Sequence, residues 1–159
     1  MNKHLSLLIA ALVFSSLSLA ADIEVRSPWV RGTVEGQKAS GAFMTLTSTK
    51  GATLVGAAVS KKVAGVAEVH EMKMEGDRML MRAIPRLELP AGKPVELARG
   101  GYHIMLLDLQ RQLKPGESVD IELKVENAAR KIEIVRVKAE VRDLTSRVDP
   151  HAGHQHHHH

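Results

Sequence analysis

No cysteine occurs anywhere in the 159 residues. That absence removes disulfides, thiol nucleophiles, iron–sulfur ligation and thiolate-ligated blue copper together. A chain without disulfides must draw its stability from a packed core. Aromatic residues are nearly as scarce, with one Trp, one Tyr and two Phe. The 22 Lys and Arg against 18 Asp and Glu are interspersed along the chain. Nucleic-acid binding needs a basic stripe interleaved with stacking aromatics, and neither is present. After residue 20 no apolar stretch approaches a membrane span, so no integral membrane segment is expected in the mature chain.

The one long apolar run opens the chain. "MNKHLSLLIAALVFSSLSLA", residues 1–20, has a basic start at Lys3, an apolar stretch from Leu5, and the small-x-small ending Ser18-Leu19-Ala20. This is the pattern of a secretory signal peptide, too short and too poorly flanked to span a bilayer. Its removal takes Lys3 and lowers the formal charge from +4 to +3, with the mature chain starting near Ala21 or Asp22. No cysteine follows it for lipidation, and export to the periplasm is expected, secretion being the alternative. What remains suits a single domain over residues 21–145 with one core, followed by a disordered His-rich tail over 146–159.

Within the domain, short alternating segments are separated by turn residues, and no helical period persists. Strands are expected over 23–32, 41–49, 53–60, 65–74, 78–84, 94–98, 102–110, 118–126 and 131–141. Between them stand Gly36, Gly51, Gly76, Gly92, Gly100 and Gly116. Many short strands at near-regular spacing predict an all-β sandwich or barrel.

The chemistry concentrates in "VHEMKMEGDRMLMR", residues 69–82, which holds four of the seven methionines. Residues i and i+2 of a strand point the same way. His70 and Met72 therefore share a face, His103 and Met105 repeat that arrangement on another strand, and Met79 and Met81 share a face on a third. Methionine is a common gap-filler in cores, and Met44 alone would be read so. Here, however, Met72, Met74, Met79, Met81 and Met105 accompany the two histidines of the predicted domain, His70 and His103. Thioether competes poorly for zinc or magnesium but suits Cu(I), and imidazole binds copper in either oxidation state. Imidazole and thioether donors are both neutral and supply no negative charge, which favours a monovalent ion over a dication.

His70, ten intervening residues, Met81, twenty-one intervening residues and His103-Ile104-Met105 reproduce an H-x10-M-x21-H-x-M pattern. That pattern resembles the PCu(A)C-type periplasmic copper chaperones. "SPWVRG", "EVHEM", "LPAGKPVEL", "GGYHIMLLDL" and "LKPGESVDIELKVE" resemble the family's other blocks, over about residues 23–140. The resemblance implies a cupredoxin-like Greek-key β-sandwich holding Cu(I) through His70, Met81, His103 and Met105 in a shallow, partly exposed site. It further implies delivery of copper to the Cu(A) centre, on subunit II of cytochrome c oxidase, directly or beside a Sco-type copper protein. Copper buffering or resistance without a dedicated client is the alternative. Met72, Met74 and Met79 fall outside the four-ligand pattern and are read as accessory, and Trp29 is expected in the core. Acceptors for the metal-free ring nitrogens are sought among Glu68, Glu71 and Asp108, although alternation sends Glu71 to the face opposite His70.

The tail carries His151, His154, His156, His157, His158 and His159. An imidazole cluster of this kind favours Cu(II), with little discrimination against Zn²⁺ or Ni²⁺. No Ser/His/Asp or paired-carboxylate constellation is legible, because the motif uses both domain histidines, and a non-enzyme acting as a monomer is expected.

Overall fold

The computed structural model describes residues 22–143, all in strands, turns and loops. The expected leader, residues 1–20, and the histidines of the tail lie outside the described residues. Ten strands follow one another: β1 (Ile23–Arg31), β2 (Ala39–Ser48), β3 (Ala52–Val59), β4 (Ala64–Glu75), β5 (Arg78–Ala83), β6 (Leu87–Leu89), β7 (Val95–Leu97), β8 (His103–Leu109), β9 (Ser118–Glu126) and β10 (Ile132–Arg142). The expected strands are all found, with ends displaced by one or two residues. β6 is the addition: three residues between Pro85 and Pro90, too short to show alternation, held by antiparallel pairing with β3.

Hydrogen bonding links the strands in the order β5-β4-β8-β2-β1-β10-β9-β3-β6, with β7 also on β2. β1 and β10 run parallel, and the other strand pairs are antiparallel. β2 divides its free edge, giving residues 39–42 to β8 and 44–46 to β7. Phe43 stands at that fork.

One face of these strands builds the core. Ala42, Met44 and Leu46 of β2, Val69 of β4, Ile104 and Leu106 of β8, and Ile121, Leu123 and Val125 of β9 are all buried in one cluster. On β9 they alternate with exposed or half-buried neighbours, the period of two that the sequence shows, whereas on β2 and β8 the intervening Phe43 and His103 are buried too, on the other face. Met44, only 2% exposed, is a core residue as its isolation in sequence predicts.

β1 departs from plain alternation. Arg26 pairs with Thr45 and Trp29 with Phe43, so three steps on β1 match two on β2. The extra residue is a bulge at Ser27-Pro28, where Ser27 has φ 48° and proline has no ladder hydrogen to lose. Strict alternation from Val25 would aim Trp29 inward. The bulge turns it to the other face, where it is buried against Phe43 and stands apart from the main cluster.

Candidate metal centre

β4 and β8 lie side by side in a register that sets His70 directly across from His103 and Glu68 across from Met105. On its other edge β4 pairs with β5, setting Met72 across from Met81 and Met74 across from Met79. Directly paired residues project to the same face. His70, Met81, His103 and Met105 therefore share one face, the one opposite Val69 and Ile104. Met72, Met74, Met79 and Glu68 share it too. The two-residue turn that makes this register possible has Gly76 at φ 60°, as the first central position of such a turn demands.

The histidine rings are 5.7 Å apart between centroids and tilted by 49°. An ion bound at about 2 Å from a nitrogen of each ring can bridge that gap. His70 Nε2 lies 2.9 Å from Glu68 Oε2, and because an ionised carboxylate only accepts, the ring nitrogen donates. Its Nδ1 is buried with no hydrogen-bond partner. A buried lone pair without a donor is costly, and here it is what a metal ligand requires. His103 has the reverse arrangement: its Nδ1–H donates to the Gly101 carbonyl at 3.2 Å, which leaves Nε2 as the basic nitrogen.

The environments of the candidate ligands differ. His103 is 5% exposed, whereas Met81 on edge strand β5 is 47% exposed. Burial pushes the His103 imidazole below its ordinary value of 6.5; the Gly101 carbonyl opposes this, and neighbouring His70 adds to the depression. A neutral imidazole is the form that binds metal. Among the described residues no three His, Cys, Asp or Glu side chains group as a metal site, and the side chains that share the face of the two histidines include the thioethers of Met72, Met81 and Met105.

Behind His103 lies an aromatic wall that the spacing motif does not reveal. Phe43 is 6.3 Å from the His103 ring and 4.6 Å from Trp29, centroid to centroid. The guanidinium groups of Arg99 and Arg142 sit 5.3 and 5.8 Å from the centre of the Trp29 ring. These are cation–π distances, and they show where this tryptophan's positive neighbours are: on the protein. Of the three acceptors considered from sequence, Glu68 holds His70. Glu71 forms an ion pair with Arg82 at 2.7 Å on the opposite face. Asp108 flanks Gly65, away from both rings.

The LpqE-like family model, described as "Putative lipoprotein LpqE-like", matches residues 23–141, nearly every described residue. The chain belongs to this family. This LpqE-like protein is 28% identical over 120 residues to "Putative lipoprotein Lxx21020" of Leifsonia xyli subsp. xyli, covering 75% of this chain and 71% of that one. Its fold matches the apo PCuAC domain from PmoF1 with a TM-score of 0.61 at 23% identity, covering 77% of this chain and 94% of that domain. Apo-DR1885 from Deinococcus radiodurans matches at 0.57 and 29% identity, covering 90% and 94%. The Cu(I) form of DR1885 matches at 0.53 and 32%, covering 74% and 78%. The all-β, cupredoxin-like architecture and the PCu(A)C-type relationship expected from sequence are both borne out.

Proposed function

We propose that this protein is a copper chaperone that carries Cu(I) on His70, Met81, His103 and Met105 and hands it to the Cu(A) centre of cytochrome c oxidase subunit II, directly or through a Sco-type copper protein, in the periplasm. The observation that carries the reading is the buried, unpartnered Nδ1 of His70, whose ring lies 5.7 Å from that of His103, on the face that also bears Met81 and Met105. A Cu(I)-bound relative of the same fold supports the choice of ion. The donor set is neutral and soft, so it stabilises a cuprous ion and gives a dication no countercharge. Copper is cargo here. Exposed Met81 is the donor that an incoming protein reaches first, and buried His103 is the one that releases last.

Competition with a Cu(I) chelator tests the site. One Cu(I) is expected in the folded domain with Zn²⁺ left in solution, and zinc held as tightly as copper overturns the reading. His103→Ala and Met105→Ala are each expected to weaken Cu(I) binding. A deletion strain separates delivery from buffering: loss of oxidase activity at low copper indicates delivery, and copper sensitivity with normal oxidase indicates buffering. The tail histidines are proposed to take Cu(II) independently. A paramagnetic resonance signal that survives truncation after Pro150 refutes that role.

A further inference from the structure

The β4–β5 hairpin has two unlike faces. Glu71, Lys73, Glu75, Arg78, Leu80 and Arg82 occupy one, with Glu71 and Arg82 ion-paired. Met72, Met74, Met79 and Met81 occupy the other as two cross-strand pairs. Neither face of its outer half feeds the core: every residue of β5 is exposed, as are Lys73, Met74 and Glu75 of β4. The pairing of β4 with β8 ends at His70 and His103, and Met72 N–H reaches the Gly101 carbonyl at 3.2 Å. Beyond that point the hairpin projects alone. Met74 is 56% exposed and Met79 49%. Gap-filling explains a methionine in a core, and there is no core here to fill.

We propose that Met74 and Met79 form a second, outer Cu(I) site made of thioethers alone, where the ion docks before it moves inward over Met72 and Met81 to the histidines. This rests on the inner site being the Cu(I) site proposed above. Directly opposed residues of an antiparallel pair have Cβ atoms about 4.5–5.5 Å apart, close enough for both flexible side chains to close on one ion. The next pair inward, Met72 and Met81, is two residues along each strand, and Met81 already belongs to the inner set. Each step is a ligand exchange: one copper–sulfur bond, or at the histidines one copper–nitrogen bond to a neutral imidazole, forms as one copper–sulfur bond on the outer side breaks. Copper stays cuprous, and no electron moves. A thioether carries no proton, so none is released. The outer pair lacks imidazole and holds copper more weakly, which sets the direction.

The test uses the full chain with isotope-labelled methionine methyl groups, titrated with Cu(I) supplied as an acetonitrile complex. The Met81 and Met105 methyls are expected to shift with the first equivalent bound in the domain, and the Met74 and Met79 methyls to shift together at higher copper. The double variant Met74→Leu/Met79→Leu keeps volume and polarity and leaves the fold intact. It is expected to keep the inner affinity while copper uptake from the acetonitrile complex slows about tenfold, equivalent to about 1.4 kcal/mol in the barrier. Outer methyls that stay still while Met81 and Met105 respond overturn the outer site and leave the chaperone reading standing. Unchanged uptake in the double variant overturns the relay. If Met81 and Met105 do not respond either, the inner site itself is refuted.

Discussion

At the scale of single residues, the two histidines are held by different acceptors and so present different nitrogens. Glu68 fixes His70 with Nδ1 free, and the Gly101 carbonyl fixes His103 with Nε2 free. Glu68→Ala removes the anchor without touching the ion. It is expected to weaken Cu(I) binding about 10–100-fold, the usual cost of losing the partner of a metal-bound imidazole, with unchanged circular dichroism. Chelator competition reads the loss. His103 contributes to the pH dependence near neutrality. Its folded pKa lies below the unfolded value, so the unfolded state binds the extra proton first as pH falls. The stabilisation is complete above about pH 6.5 and disappears as pH drops through the lowered value. Denaturant midpoints of the apo protein are therefore expected to be flat from pH 8 to 7 and to decline on the acid side, with part of that slope absent in His103→Gln. A His103 ring-proton titration with its midpoint above 6.5 refutes this.

At the scale of elements, the bulge and the hairpin do opposite things to sequence legibility. Around the two histidines β4 and β8 alternate regularly, with Val69 and Ile104 inward and His70 and His103 outward, so spacing shows which residues of one strand share a face; the set of His70, Met81, His103 and Met105 comes from the family resemblance, and only the strand register puts the four on one face. β1 does not alternate in this way, and Trp29, buried as expected, lies on the face of the candidate site rather than in the main cluster because one inserted residue reverses the faces. "SPW" carried a proline signal for that irregularity, but its effect on facing depends on the register with β2. Phe43 was missed for a related reason: alternation places it outward, and only the fork of β2 shows that His103 awaits it there. Gly41 makes that contact possible. A Cβ built on it comes within 2.8 Å of Phe43 Cζ, and the ring is wedged between Trp29 and His103 with little room to yield. Gly41→Val is expected to displace the ring and cost about 1–3 kcal/mol. Emission from Trp29, the chain's one tryptophan, is expected to shift to the red as the wall opens.

At the scale of the whole molecule, core and site occupy opposite faces of the same strands. Val69 and Ile104 point into the cluster, while their neighbours His70 and His103 point away from it. Stability and binding should accordingly separate under mutation. Met44→Ala opens a cavity in the core and is expected to cost about 2–5 kcal/mol, with Cu(I) affinity per folded molecule unchanged. Met105→Ala, on the metal face, is expected to do the reverse. Thermal unfolding and chelator competition on both variants check the pair, and equal losses of affinity refute the separation.

The pairing of β4 with β8 also orders events in time. His70 and His103 are far apart along the chain and meet through that pairing, a contact that a folding chain closes late because long loops must be shut first. An unfolded or half-folded chain has imidazoles and thioethers but no place where two of each converge. Copper encountered early finds the four donors of the proposed inner site still apart from one another. The proposed inner site is therefore expected to exist only once the sheet closes, so folding of the domain precedes loading at His70 and His103.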